Sequence, residues 1–545
     1  LGRRFFHAFI TETVMTESSF SAGELLRRLG EMQAKRATWE AHWQELADHV
    51  LPRRAEIVRH GSPGEKRMGK LYDATAIQAN ELLAAGLHGM LTSPATPWFE
   101  LALNDARLMG EAGVAAWLEE SARRLHGALN ASNFQTEMHE LYLDLGCFGT
   151  AALFIEEDAE ALLRFSCRPL SEIYVGQDAQ GRIDTVFRRF SFTARQAAQR
   201  WGAAAVGPRL ARLAERDPDA DSEILHALLP RAARDPRRLE AEQMPFASIY
   251  LDMASRHVIA EGGFREMPFA VPRWSKAAGE VFGRSPAMTA LPDVKMLNEM
   301  CRTTLRAAQK AVDPPLLIAD DGVVLPLRTQ PASLNFARFL ADGSDPVRPL
   351  ATNANVGLGL EMEERRRAAI RSAFYADQLQ LAGGPQMTAT EVLQRTEEKL
   401  RLLGPILGRL QAELLRPLID RAFAIALRAG ALPKPPAALA GQALQIVYVS
   451  PIARTQRQGE AQGLLKLLEF AQPLSAIEPE LADNIDGDAA LRHLWGLFSA
   501  PQSVLRAPRK VAERRAARQQ AQAQAQMAAQ AGPVLQALSG EAPNA

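Results

Sequence analysis

The sequence predicts a mainly α chain with α+β regions, and three observations carry that prediction. Apolar residues recur at three- and four-residue steps over long stretches. Short segments rich in β-branched and aromatic residues cluster between 150 and 275. Two long helical stretches, near 286–312 and 361–380, flank a run of short strands and turns. At 545 residues the chain has length for roughly three to four domains. Its 47% apolar and 23% charged residues exclude wholesale disorder, collagen and coiled-coil fibre. With 63 Lys+Arg against 63 Asp+Glu, the net charge is zero. That argues against coating nucleic acid, which needs excess cations to displace counterions. It leaves room for a protein that lets DNA pass without gripping it.

Cys147, Cys167 and Cys301 stand far apart with no C-x-x-C spacing, and read as reduced thiols of a cytosolic fold. No apolar run approaches the roughly 18 to 20 residues of a membrane span, so a soluble intracellular chain is expected. Residues 1–14 precede the first Met, Met15, and read as an upstream extension, a tag remnant or an alternative start. They form part of an expected disordered extension over 1–20.

The first helix is expected from Ser21, where Ser21 to Glu24 fits a capping box. Leu25, Leu29, Met32, Trp39, Trp43, Leu46 and Val50 make its stripe, and Leu51-Pro52 ends it. A second helix follows at about 74–91, whose small residues Ala79, Ala84, Ala85, Gly86 and Gly89 permit close packing. Two more are expected at 111–130 and 133–146. Strands are expected at 151–156, 162–168, 172–175 and 182–192, with a hairpin turn at Asp178 to Gly181. A short helix at 194–201 comes next. Residues 205–240 read as a charged, Pro-punctuated insertion, and further strands as 248–253, 258–263 and 269–274. Ser285-Pro286 gives an N-cap and a first-turn proline for a helix reaching about Val312. Short strands at 316–319, 323–327 and 347–350 precede a helix over about 361–380. Leu381 to Met387 is a strong breaker. Thr388 to Glu391 is a second capping box, opening a long helix that Gly404-Pro405 and Pro417 should bend. A strand at 444–449 and a helical C-terminal part end in basic Arg506–Arg518 and a Gln/Ala-rich tract.

Catalytic spacings are scarce. There is no G-x-x-x-x-G-K-[ST], H-E-x-x-H or G-x-S-x-G. Gly357-Leu358-Gly359 lacks a third glycine, His139-Glu140 lacks a second His, and Asp320-Asp321 reads as a turn. No catalytic residue, metal ligand or cofactor site is expected. Arg365, Arg366, Arg367 and Arg371 follow Glu361, Glu363 and Glu364. They suit pairing on a solvated face or across neighbouring subunits, with phosphate contact as the sharper alternative. Arg506, Arg509, Lys510, Arg514, Arg515 and Arg518 read as a solvated helix face or, second, as a DNA contact.

A set of short motifs occurs in order along the chain. These are Tyr72-Asp73-Ala74-Thr75, Leu83-Ala84-Ala85-Gly86-Leu87, Thr92-Ser93-Pro94 and Pro97-Trp98-Phe99. Phe264-Arg265-Glu266-Met267-Pro268, Arg273-Trp274, Phe282-Gly283-Arg284-Ser285-Pro286 and Asp313-Pro314-Pro315 follow. Met387-Thr388-Ala389-Thr390-Glu391-Val392 and Leu403-Gly404-Pro405 complete the set. From about residue 24 to 450 the chain resembles the portal proteins, or head-to-tail connectors, of short-tailed bacteriophages.

The resemblance implies a portal fold assembled as a ring: a wing, a two-helix stem, a small α/β clip and a helical crown. It implies a wing over 21–284, stem helices at 285–312 and 358–380, and a clip at 313–357. A tunnel loop at 381–387, the wing's long helix and strand at 388–454, and a crown at 455–545 complete the layout. It further implies twelve subunits around a channel through which double-stranded DNA is packaged and ejected. The neutral residues Gln378, Gln380, Gly383, Gly384, Gln386 and Met387 would line the channel. The implied partners are major capsid and scaffolding proteins, the large terminase ATPase and a tail adaptor, with no membrane. The implied location is the virion's portal vertex, and host cytoplasm during assembly. Two other readings compete: an enzyme acting on nucleic acid with an unrecognised active site among the strands of 150–275, and a tail adaptor protein.

Overall fold

The computed structural model describes residues 20–539 other than 55, 60–61, 63, 70, 104, 106–107, 109–112, 233, 236, 239, 319–325, 328–335, 337–346, 350–355, 380–402, 440–443, 449–450, 479, 481–483, 499–503 and 507. In chain order its first elements are α1 Ala22–Val50, α2 Thr75–Leu91, β1 Phe99–Leu103, α3 Val114–Ala131 and α4 Phe134–Phe148. Strands β2 Ala152–Asp158, β3 Leu162–Arg168, β4 Ile173–Gln177 and β5 Ile183–Thr193 follow. Next come α5 Ala194–Trp201, α6 Gly207–Arg216, β6 Asp221–Pro230, β7 Phe246–Asp252, β8 His257–Phe264 and β9 Phe269–Ala270. Helix α7 Pro286–Val312, strands β10 Leu316–Ile318 and β11 Val347–Pro349, and helices α8 Val356–Ala373 and α9 Ala376–Leu379 form the next stretch. After a π-turn at Gln411–Leu415 come α10 Arg416–Arg428, β12 Leu444–Tyr448, α11 Pro451–Ile477, α12 Gly487–Leu497 and α13 Pro508–Ser539. The chain divides into two compact units, Leu1–Thr96 with Gly127–Ala429, and Pro97–His126 with Gly430–Ala545.

The first unit is built on an antiparallel sheet in the order β4-β5-β6-β7-β8. Helix α1 covers one face: Leu25 and Leu29 pack on Phe187, Leu225, Ala227, Ile249 and Leu251. Helices α5 and α6 cover part of the other through Ala197 and Leu210 against Phe190, Ile224 and Ile259. Arg36 on α1 is buried, where its Nη1 donates to the Ile173 carbonyl (2.6 Å) and its guanidinium lies 4.3 Å from the Tyr174 ring. Burial lowers the pKa of that guanidinium. A second sheet, β3-β2-β9, packs under α10 and α4.

Several expectations need correction. Residues 205–240 are no insertion: they supply α6 and β6, the middle strand of the five-stranded sheet. Both faces of β6 are covered, so Ile224–Leu229 shows no polar alternation and hides among flanking charges. The strand expected over 269–274 is only Phe269–Ala270. Pro268 and Pro272 have no N–H to give a ladder, and instead accept at their carbonyls from Ile155 and Ala151. Ser21 does cap α1, accepting from the Glu24 N–H, but the Glu24 carboxylate turns to Arg28, so only half a capping box forms. The complete box is at Thr193 and Gln196. Helix α8 starts at Val356 and stops at Ala373, short of the expected 380, because Tyr375 takes a left-handed conformation (φ +56) before α9. The π-turn of Gln411–Leu415 lies just ahead of Pro417, which has no N–H for a regular helical bond.

In the second unit β1 and β12 pair antiparallel, Phe99 opposite Tyr448 and Leu103 opposite Leu444. Trp98 and Phe99 are buried, and Phe99 stacks on His126 with ring centroids 4.0 Å apart. Trp117 donates its indole N–H to the Pro433 carbonyl (2.9 Å). These residues are core anchors of this unit.

Candidate assembly surface: the α7–α8 hairpin

Helix α7 is launched by Ser285. Its hydroxyl accepts from the Met288 N–H (3.0 Å) and donates to the Cys147 carbonyl (2.7 Å), so one side chain caps α7 and closes α4. Two glycines make the junction possible. Gly149 has φ +75, and a Cβ there would lie 2.6 Å from Gly283 O; a Cβ on Gly283 would lie 2.2 Å from Gly149 O. The backbones touch because neither residue has a side chain.

Arg273 locks the same junction from the side. It is buried, and its Nη2 and Nε donate to Glu413 in the π-turn (2.8 and 3.0 Å), with further bonds to the carbonyls of Gly181 and Val281. Its backbone N–H also reaches Glu413 (3.0 Å). On α4, Asp144 is fully buried, and burial pushes its carboxyl up to about 6 despite the nearby Arg54.

Helices α7 and α8 run together as a hairpin whose halves differ. At the base, Ala287, Ala290, Leu291, Val294 and Leu297 are buried, and so are Ile370 and Phe374 on the return. Gly359 marks a close approach farther out, where a Cβ would sit 2.9 Å from Thr304 Oγ1. Around this point and beyond it, apolar side chains face water. Val312 is 87% exposed, Leu358 54% and Leu360 53%, and Leu305, Leu316, Leu317, Ile318 and Met362 are exposed with them. The short β10–β11 pair lies between the two helices in sequence.

The arginine run on α8 is spoken for within the chain. Arg365 bonds Glu361 (2.6 Å), Arg366 reaches Asp293 on α7 (2.8 Å) and Arg371 bonds Glu364 (2.9 Å). Arg367 is the most embedded, donating to Asp73 ahead of α2 (3.0 Å) and to buried Glu363 (3.0 Å). Burial pushes the Asp73 carboxyl up, but Thr75 and then Arg367 outweigh it and hold it below the usual range. Burial, then Glu363, raises the Cys301 thiol to about 11, which keeps it protonated and unreactive.

The other sequence-predicted residues fall elsewhere. Gln378 sits on α9, with its side-chain oxygen buried and without a hydrogen-bond partner among the described residues. Gln380, Gly383, Gly384, Gln386 and Met387 lie outside the described residues, as do the capping box at 388–391 and residues 323–325 of the strand expected at 323–327, whose described residues 326–327 are not strand. In the second unit, Arg515 on α13 makes a two-pronged pair with Asp488 on α12 (2.6 and 2.8 Å). Lys510, Arg514 and Arg518 are exposed on α13, the Arg506 carbonyl accepts from Arg492, and the side chain of Arg509 lies outside the described residues. The structure thus brings the α8 arginines onto carboxylates of their own chain.

Sequence reasoning missed the functional geometry of Asp73, Arg273 and Glu413. Asp73 and Arg273 were quoted only inside motifs, and their partners stand 294 and 140 residues away. A buried charge pair at that separation leaves no local spacing to read.

A family model described as bacteriophage head to tail connecting protein matches residues 22–505. A probable portal protein of Bordetella phage BPP-1 is 33% identical over 477 residues, 85% of each chain. The portal protein of Salmonella phage epsilon15 is 32% identical over 476 residues, 86% of this chain and 85% of that one. A chain from the virion of a native gene transfer agent particle overlays with a TM-score of 0.36 at 11% identity, covering 77% of this chain and 94% of that one, too loosely to argue from. Two relatives matched along most of their length, and a family match over most of this chain, place it plainly: the chain belongs to the bacteriophage head-to-tail connecting proteins, the structural portal family that joins capsid and tail.

Proposed function

We propose that the chain forms a closed ring, most simply of twelve subunits, at one capsid vertex, and that double-stranded DNA is packaged and ejected through its central channel. In this reading 285–312 and 358–380 are the stem, 313–357 the clip, 381–387 the tunnel loop, 21–284 with 388–454 the wing, and 455–545 the crown. The ring carries no catalysis of its own. It docks the large terminase ATPase and later a tail adaptor, and it meets capsid and scaffolding proteins at the vertex. It is a virion component that assembles in host cytoplasm.

The observation that carries the reading is the exposed apolar outer half of the α7–α8 hairpin. Exposed apolar side chains grouped on one hairpin mark a surface suited to association with another chain. In a ring each chain presents one surface to a different surface of the next, and the set closes without leaving an edge. The α8 arginines support passive conduction. Each phosphate a protein neutralises adds affinity, and these guanidiniums are already occupied by carboxylates of their own chain. Negative-stain microscopy of the purified chain tests the proposal. Rings with a central hole are expected, and a persistent monomer with metal-dependent nuclease activity would overturn it.

A further inference from the structure

Between the two sheets of the first unit lies a cluster of side chains whose charges do not balance. Arg188, His226 and Tyr250 stand opposite one another on β5, β6 and β7, forming a row across three strands. The His226 and Tyr250 rings stack with centroids 4.1 Å apart at 5°, and the His226 ring meets Phe154 of β2 edge-on. Arg168, at the end of β3, lies over Phe154 from one side, and Arg200 of α5 reaches the Tyr250 hydroxyl (3.4 Å) from the other. Three guanidiniums therefore converge where only Glu156 and Glu172 bring negative charge.

Those two carboxylates do not serve all three cations. Glu172 is taken by Arg188 at 2.6 Å, and Arg188 also covers the Phe190 ring at 4.1 Å. Glu156 approaches Arg200 only to 3.8 Å. The Arg168 side chain makes no hydrogen bond and no ion pair with any described residue, and its Nε is buried without an acceptor. Burial, then repulsion from Arg188, lowers its pKa. His226 adds no charge: burial and the three arginines hold it neutral, so it serves as an aromatic wall with its Nε2 on Ser248 (2.9 Å). A half-buried guanidinium left without an acceptor is unfavourable, and an incoming anion removes that penalty.

We propose that this cluster seats one oxyanion, a carboxylate or a phosphate group, held by Arg168 and Arg200 against the Tyr250 hydroxyl. The Arg200 side chain is 43% exposed and forms the rim, so the seat opens to solvent. The oxyanion comes either from free phosphate or from an acidic side chain of a second copy of this chain.

Calorimetry of the full-length protein with inorganic phosphate, at ionic strength fixed with chloride, tests the first source. One saturable site per chain is expected, weakened about tenfold or more in Arg168→Met and partly restored in Arg168→Lys. Dilution of the assembled protein, followed by mass photometry in chloride, tests the second. If a neighbour's carboxylate fills the seat, Arg168→Met dissociates at higher protein concentration than wild type. Arg168→Met should keep or raise the urea midpoint, because it removes an unpaired charge; should it misfold, Arg200→Gln provides the same two readings. The proposal is overturned if phosphate binds the variant as tightly as wild type. It is equally overturned if phosphate gives no saturable heat and the variant dissociates as wild type does.

Discussion

The base and the outer half of the α7–α8 hairpin are made of the same two helices, yet they solve opposite problems. At the base, small and branched residues are buried and every α8 arginine has a carboxylate from its own chain. In the outer half, Leu305, Val312, Leu358 and Leu360 stand in water. One chain therefore holds its own base, while in the proposed ring the outer half is covered by another chain. On that reading stability and assembly reside in separate parts of one hairpin, and substitutions should separate them.

The largest effect is expected in the outer half. A Leu305→Asp, Leu358→Asp double variant should abolish ring formation, read by mass photometry, while its urea midpoint as a monomer stays that of the wild-type monomer. A lowered monomer midpoint would place these residues in the chain's own core and erase the contrast. At the base, Arg273→Ala leaves Glu413 only the backbone N–H of position 273 and a looser pair with Arg409 (3.5 Å), and it strips the carbonyls of Gly181 and Val281 of their donor. It should cost about 3–5 kcal/mol in urea unfolding, as breaking a buried pair does.

Asp144 on α4 gives a smaller, pH-dependent effect. Its folded carboxyl is raised to about 6, so in the folded state the charged form is disfavoured. Stability from this group is therefore gained as pH falls through 6 and below the ordinary carboxyl range, by about 3 kcal/mol in all. Asp144→Asn should flatten the wild-type stability profile between pH 7 and 4, and an unchanged slope would show that the carboxyl does not titrate there. The smallest effect is expected at Arg515, whose pair with Asp488 is exposed. Arg515→Ala should leave thermal unfolding unchanged within error, because surface pairs are screened.

Much of the hairpin was legible in the sequence, because its signals are local. Ser285-Pro286 fixes the start of α7 through the side chain of one residue and the fixed φ of the next. The β4–β5 turn was legible for the same reason: Asp178 bonds the backbone N–H groups of Gln180 and Arg182, and Gly181 takes φ +79. What escaped was long-range. The central strand β6 lost its alternation by being covered on both faces, and its apolar core is bracketed by Asp217 to Glu223 and Arg231 to Glu242. The pairing of Asp73 with Arg367, and of Arg273 with Glu413, depends on where the fold returns the chain. The exposure of Leu358 and Leu360 was likewise invisible, because a stripe at helical spacing looks alike whether its partner lies in the same chain or the next.

The central claim is that the hairpin's outer half is a surface between chains. Mass photometry of the purified wild-type protein at nanomolar concentration tests it most directly. The account predicts a single species of about 715 kDa, twelve chains of 59.6 kDa, that falls to monomer in the Leu305→Asp, Leu358→Asp variant. A wild-type protein that stays at 59.6 kDa, or a variant that assembles as fully as wild type, would contradict it.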